Sequence, residues 1–378
     1  MWISHILATL LNNDGNWVEC NDDVSGVTSD SSNNGQWSKC RNEGSCCFNE
    51  ENPDFGTIRV DVDGKIIDFA STRCEIYDKK GHLPTVTKIG CSLKEDVLRR
   101  DFTVNAMAYN EDDGLTDPFC GQKDLRKKLL RTVGSPKERF YEDALRIMRL
   151  FRFSSTLGFR IEPKTKRSAL KLSPNLQKIS AERVNCELIK AVNGPYPERL
   201  TPLIKSGGLK SFGIKSAKNL KRIKRLKGSE NIKLFSFLTL CNADFDTVFS
   251  SLKFSNSIKN YCRKIKSIMF ITEKSTSEEI KLALSVCGYD VFLDFLEYKA
   301  VIEKKNIKNI KLRAESIIKA NEPYKISHLA LNGEDLKALG LKDKEIGEAL
   351  NKSIQEIRKY PEHNTKEFLI NLIFVLIY

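Results

Sequence analysis

From Ser135 to the C-terminus the apolar residues recur at helical spacing, so any β-structure in this chain has to lie ahead of that point. The strongest helical pattern covers residues 140–157 and reads as one amphipathic helix ended by Gly158, a residue suited to a left-handed C-terminal cap. Ser180 opens a further helix that carries Arg183 and Glu187. Ahead of Ser135 the pattern differs. Residues 57–62 alternate in polarity, Asp63-Gly64 is a hairpin turn signal, and residues 65–69 return, which predicts a β-hairpin with one half-buried face. A short helix is expected around Leu93, Val97 and Leu98, a short strand over 103–109, and a turn at Asp112-Asp113-Gly114. Residues 12–53 are rich in Asn, Asp, Ser and Gly without a sustained period, and read as loop or disorder. The expected class is α+β, a small head followed by a long all-helical part with breaks near Gly207-Gly208 and over 321–324.

Charge narrows the partners. Lys and Arg number 62 against 49 Asp and Glu, a net charge of +13, yet the first 56 residues hold only 2 basic and 9 acidic side chains. The basic excess therefore belongs to the periodic part of the chain, where it suits a polyanion such as nucleic acid. Its densest stretch holds Lys218, Lys221, Arg222, Lys224 and Arg225, with Leu220, Ile223 and Leu226 interleaved. Two readings stand side by side there: an RNA contact, or the solvated face of a helix whose apolar side is core. The 11 cysteines are scattered and odd in number, which fits a reducing cytoplasm better than a disulfide framework. Cys40, Cys46 and Cys47 lack paired zinc-ligand spacing and a nearby histidine. Met1 to Leu11 has no basic residue ahead of its apolar run and does not read as a secretory signal, and no stretch is long enough for a membrane span.

Two strings carry chemistry. In Arg99-Arg100-Asp101-Phe102-Thr103-Val104-Asn105-Ala106-Met107, guanidinium forks match phosphate oxygens while the carboxylate can accept from hydroxyls. In Glu142-Asp143-Ala144-Leu145-Arg146-Ile147-Met148-Arg149-Leu150-Phe151-Arg152, the residues Asp143, Arg146, Arg149 and Arg152 recur every third position, as neighbours along one ridge of a helix. Taken singly, each string reads first as an ordinary salt-bridged segment.

The order of these strings, with Asp117-Pro118-Phe119, Gly121 and Asp124 between them and Ser180-Ala181-Glu182-Arg183 after them, resembles the motif series of class II CCA-adding tRNA nucleotidyltransferases and bacterial poly(A) polymerases. The hairpin after Phe55 is similar to that family's head strands, and residues 331–336 with Gly347 and Leu350 are similar to its tail, so the likeness covers 54–378. It implies a partial head at 54–134, a helical neck at 135–206, a body at 207–322 and a tail at 323–378, with 1–53 outside the likeness. It also implies addition of C, C and A to the 3′ end of tRNA from CTP and ATP, with magnesium as cofactor; no protein partner is evident in the sequence. By the same likeness Asp143 and Arg146 pair with the edge of the incoming base, while Arg100, Arg149 and Arg152 contact phosphates and the nucleotide. Asp101 lies near the ribose, Asn105 in the same string is a further nucleotide-binding residue, and Asp68 matches the family's third metal-binding carboxylate.

The family opens with a Gly-Gly-x-x-Arg-Asp stretch and an Asp-x-Asp pair, and neither is recognisable in this sequence. Asp61 and Asp63 read as strand and turn residues, and Asp22-Asp23 has different surroundings. Three readings stay open: the CCA-adding enzyme, a poly(A) polymerase of the same family, and a non-catalytic tRNA-binding relative. The resemblance near Asn332 favours the tRNA enzyme over the polymerase. A fused phosphohydrolase is excluded, because His5, His82, His328 and His363 offer no His-Asp pair.

Overall fold

The computed structural model describes residues 9–11, 17–19, 46–52, 56–62, 65–76 and 85–377. They fall into two compact units, 1–70 and 71–378.

In the first unit β1 (Thr9–Leu11) pairs antiparallel with β2 (Trp17–Glu19). A separate antiparallel sheet has the order β3 (Cys46–Asn52), β4 (Thr57–Val62), β5 (Lys65–Ala70). The expectation of loop over 12–53 is therefore corrected at Trp17–Glu19 and Cys46–Asn52, where backbone pairing supplies the order that side-chain periodicity does not announce. The predicted hairpin is present in the register Thr57↔Ala70 to Val62↔Lys65, with Ile58 and Val60 buried. Arg59 stands opposite Asp68 on the other face, and its Nε donates to Asp68 Oδ1 at 2.7 Å. That bond holds the exposed Asp68 carboxyl below its usual range. Asp22, Asp23, Cys40 and Asp63, and the side chains of Cys46, Cys47 and Asp61, lie outside what is described.

The second unit opens with a hairpin, β6 (Arg73–Ile76) and β7 (Thr85–Ile89), followed by α1 (Leu93–Leu98) under a Ser92–Glu95 capping box. The strand expected over 103–109 starts only at Ala108: Thr103–Asn105 is a single 3-10 turn, because Thr103 and Asn105 spend their side chains on Asp124 and Asp101. β8 (Ala108–Asn110) and β9 (Gly114–Thr116) then form the hairpin whose turn the sequence announced. Asp117 accepts from the backbone of Gly121 and Gln122 at the start of α2 (Gly121–Arg126). A Cβ at Gly121 would lie 2.2 Å from the Thr103 carbonyl oxygen, so α2 can approach the 3-10 turn only with glycine there.

The helix expected over 140–157 is two helices, α3 (Pro136–Glu142) and α4 (Leu145–Leu157). Asp143 between them is extended, at φ −142° and ψ 106°, and its carboxylate accepts from Leu145 N at 2.9 Å, a local bond that competes with helix continuation. Asp143 therefore stands at the entrance of α4 and not on its ridge. Gly158 ends α4 at φ +69°. The expectation of helix alone after Ser135 is corrected at β11 (Arg160–Ile161), which runs parallel to β10 (Leu129–Leu130) because Arg160 N and Glu162 N donate to the Lys128 and Leu130 carbonyls, each at 2.9 Å. It is followed by α5 (Pro163–Leu172) and α6 (Ala181–Asn193), which packs along α4.

From there to Ile377 the named elements are α- and 3-10 helices. One apolar core runs from Phe102 through Phe151, Leu188 and Phe237 to Ile317, and a second holds Leu331, Leu336, Ile357 and Leu369. Buried Lys281 bridges the helical segments around them, donating to the Arg358 carbonyl at 3.0 Å and pairing with Glu322 at 2.6 Å. Among the described residues no helix is long and apolar enough to cross a membrane.

One buried carboxylate fixes the start of the second unit. Asp96 accepts from Arg73 N at 3.2 Å, from Arg99 Nε at 2.9 Å and from Arg100 Nη2 at 2.7 Å. Burial opposes its charge, but the bonds from Arg100 and Arg99 outweigh it and hold the carboxyl below its usual range. A depressed carboxyl stabilises the fold above its unfolded pKa of about 4, and that contribution is lost as pH falls through the lower folded value. Asp96→Asn is expected to cost on the order of 3 kcal/mol at neutral pH, with the gap to wild type closing below about pH 4; denaturant unfolding across that range checks it, and a pH-independent gap would refute it.

Candidate functional site

The segment after α1 meets α4 and α6 through charge. Asp101 is buried, and its Oδ1 accepts from Phe102 N at 2.8 Å and from Asn105 Nδ2 at 3.1 Å. Its Oδ2 accepts from Arg149 Nε at 2.8 Å. Arg149 also lies 3.7 Å from Glu187 on α6, and Arg152 Nε donates to the same Glu187 at 2.7 Å. Burial works against the charge on Arg149, but Asp101 first, then Glu187 and Asp143, more than offset it and raise its pKa above the ordinary arginine value. Both guanidiniums lie over the Phe153 ring, at 5.4 Å for Arg149 and 3.6 Å for Arg152. Phe153 in turn meets Phe102 edge-on with 5.8 Å between centroids.

The pair expected to meet a base sits one turn away. Asp143 Oδ2 accepts from Arg183 Nη2 at 3.1 Å, while Oδ1 serves Leu145 N. Arg146 donates from Nη1 to Glu142 Oε2 at 2.6 Å and from Nη2 to the Arg99 carbonyl at 2.7 Å. Its side chain is only 6% exposed, against 34% for Arg149 and 44% for Arg100. Arg100, braced by Asp96, thus presents the most open guanidinium of the three. The spacing of three residues brings Arg146, Arg149 and Arg152 onto α4 as expected: Arg146 pairs with Glu142, Arg149 with Asp101 and Glu187, and Arg152 with the same Glu187. It does not bring the Asp143 carboxylate onto that row, because the helix begins after it.

Asp96, Glu142 and Glu187 belong to this site and were not assigned to it from sequence. Asp96 stands three and four residues before Arg99 and Arg100, a spacing that announces helical ion pairs. Glu187 reaches Arg152 from another helix, and no local pattern signals that pairing.

Asp68 lies in the first unit, committed to Arg59. Among the described residues the one group of three metal-ligating side chains is Cys74, Cys91 and Glu95. That group offers two thiols and a single carboxylate, a donor set that does not suit magnesium, which takes oxygen ligands.

The basic stretch forms a 3-10 helix, Leu220–Arg225, entered through Asn219 at φ +56°. Leu220, Ile223 and Leu226 are buried. Their spacing of three matches a helix of three residues per turn, not the α-helix expected. Lys218, Lys221, Lys224 and Arg225 are exposed. Arg222 differs: its Nη1 donates to the Ile302 carbonyl at 2.6 Å, so it fastens the stretch to the body.

Residues 26–131 match the family described as "Poly A polymerase head domain", and residues 158–212 match "Probable RNA and SrmB- binding site of polymerase A". The head match begins ahead of Asp54, where the likeness read from sequence starts. The chain is 32% identical to the CCA-adding enzyme of Bacillus cytotoxicus over 334 residues, which cover 83% of this chain and 81% of that protein. It is 38% identical to the CCA-adding enzyme of Geobacillus stearothermophilus over 157 residues, 42% of this chain and 39% of that protein. Among solved structures, the Bacillus stearothermophilus CCA-adding enzyme in complex with CTP aligns with a TM-score of 0.71 at 25% identity, covering 87% of this chain and 83% of the other. The Thermotoga maritima CCA-adding enzyme complexed with tRNA shares the fold at a TM-score of 0.56 and 21% identity, over 88% of this chain and 82% of that one. By sequence and by fold, this chain belongs to the CCA-adding enzyme and poly(A) polymerase family of nucleotidyltransferases.

Proposed function

We propose that this protein adds C, C and A to the 3′ end of tRNA, using CTP and ATP and no nucleic-acid template. In each cycle the tRNA 3′-oxygen forms a bond to the α-phosphorus of the bound nucleotide, the bond to pyrophosphate breaks, and the hydroxyl proton is released. The observation that carries the reading is the single charged network through Asp101, Arg149, Arg152 and Glu187, next to Asp143 and Arg146, in a chain whose relatives are CCA-adding enzymes.

In this reading Asp143 and Arg146 choose the base. A guanidinium only donates and a carboxylate only accepts, so together they match edges that offer an amino group beside an acceptor, as C and A do, and mismatch G and U. Arg183 and Glu142 hold the two side chains when no base is present. Arg100 is placed to meet phosphate, with Arg149 and Arg152 behind it as nucleotide contacts. Asp101 and Asn105, bonded to one another, are assigned to the ribose side. Lys218, Lys221, Lys224 and Arg225 are assigned to the tRNA backbone; Arg222 is their anchor. The neck, body and tail divide near residues 134, 206 and 322.

The experiment is incubation of the full chain with tRNA lacking CCA, magnesium, and labelled CTP and ATP. Ordered incorporation of two C and one A supports the proposal. A run of A residues would make the protein a poly(A) polymerase, and tRNA binding without incorporation would leave a recognition protein. Asp143→Ala and Arg146→Ala are each expected to lower the preference for CTP and ATP over GTP and UTP at least tenfold, about 1.4 kcal/mol, with tRNA affinity nearly intact. An unchanged preference in both would refute the base-reading assignment. Changing Lys221, Lys224 and Arg225 to Gln is expected to weaken tRNA binding and flatten its salt dependence, by roughly one unit of log–log slope per lost phosphate contact; a full slope would return the stretch to a solvated surface.

A further inference from the structure

Two cysteines and a glutamate converge at the junction of β6, β7 and α1, and nothing in the proposed reaction uses them. Cys74 lies in β6, Cys91 in the turn after β7, and Glu95 in the first turn of α1. Their sulfur and oxygen ligand atoms all lie within 4.8 Å of one another. Zinc bound at about 2.3 Å to sulfur and about 2.1 Å to oxygen would hold such donors roughly 3.5–3.8 Å apart in a tetrahedron, so only a small contraction separates this group from a ligand set. Both cysteines are free thiols.

The surroundings make a site of it. Gly90 N donates to the Thr72 carbonyl at 2.7 Å, and Thr72 Oγ1 donates to the Cys91 carbonyl at 2.7 Å, which pins the Cys91 turn beside the start of β6. Ser92 fixes Glu95 by donating from N at 2.9 Å and from Oγ at 2.6 Å, both to Oε2, which holds the carboxylate in place at the junction. Burial is graded from Cys91, buried, through Cys74, half-buried, to Glu95, exposed. An ion can therefore enter from the solvent side and keep water as its fourth ligand. Two thiolates with one carboxylate select a thiophilic dication and disfavour magnesium.

We propose that Cys74, Cys91 and Glu95 bind one zinc ion, which fastens β6 to α1. The consequence lies one residue away on each side. Glu75, beside Cys74, accepts from Arg99 Nη1 at 3.0 Å, and Asp96, beside Glu95, holds Arg99 and Arg100. Zinc at this junction steadies the two carboxylates that set the arginine pair.

The test is cobalt titration of the full chain, purified reduced and stripped of metal. The expected result is a near-ultraviolet thiolate-to-cobalt charge-transfer band with tetrahedral visible bands, saturating at one ion per chain and displaced by zinc. Cys74→Ser and Cys91→Ser should each weaken binding by about 100-fold or more and Glu95→Gln by about 10-fold, while Cys186→Ser, an exposed thiol elsewhere, should leave it unchanged. Glu95→Gln retains a capping side chain, and circular dichroism of each variant separates lost ligation from lost folding. Absence of the band in folded protein overturns the proposal. So does a band that survives both cysteine substitutions, since it then arises from other thiols, or a Cys74–Cys91 disulfide that, once reduced, still refuses cobalt.

Discussion

A guanidinium set between two buried carboxylates cannot change its position without leaving a charge unpaired where water is scarce. Arg149 is in that situation between Asp101 and Glu187, and the rest of the site takes its register from it. Asp101 belongs to the segment after α1, Arg149 to α4 and Glu187 to α6. One charged group therefore aligns three parts of the chain that are distant in sequence. Phe102 and Phe153 pack beside it, so the apolar core and the charged row share a boundary, and displacement of either disturbs the other.

The interruption at Asp143 separates two functions that one continuous helix would merge. α4 carries arginines at a fixed pitch, whereas Asp143 is presented by extended backbone and tied to α6 through Arg183. Arg146 is tied backward, to Glu142 and to the Arg99 carbonyl. The acceptor and the donor of the proposed base-reading pair thus answer to different neighbours, and each is pre-oriented by its own partner, which favours recognition by reducing the ordering required on binding.

Much of this was legible in the sequence. Alternation at Thr57–Val62 predicted the β4–β5 hairpin, and apolar spacing predicted the helices after Ser135, because both depend on periods set by the local backbone. The arginines of α4 were located by their spacing of three. What escaped was decided by local competition or by distance. Asp143 ends a helix because its own carboxylate outcompetes the next turn, Thr103 and Asn105 divert a strand into a 3-10 turn, and Glu187 finds Arg152 only once α6 has folded against α4. Strands at Trp17–Glu19 and Cys46–Asn52 have no side-chain period to reveal them, since backbone pairing alone defines them.

The 3-10 stretch at Leu220–Arg225 has an integral repeat, and that carries a consequence for how the chain can vary. In an α-helix of 3.6 residues per turn, an inserted residue rotates the pattern and neighbouring positions absorb part of the error. With three residues per turn, Leu220 and Ile223 occupy one edge while Lys221 and Lys224 form another, about 6 Å apart along the axis. A single inserted or deleted residue would carry a basic side chain onto the buried edge and an apolar one onto the surface in one step. Length in this segment is consequently far less free to drift than the identity of its exposed residues.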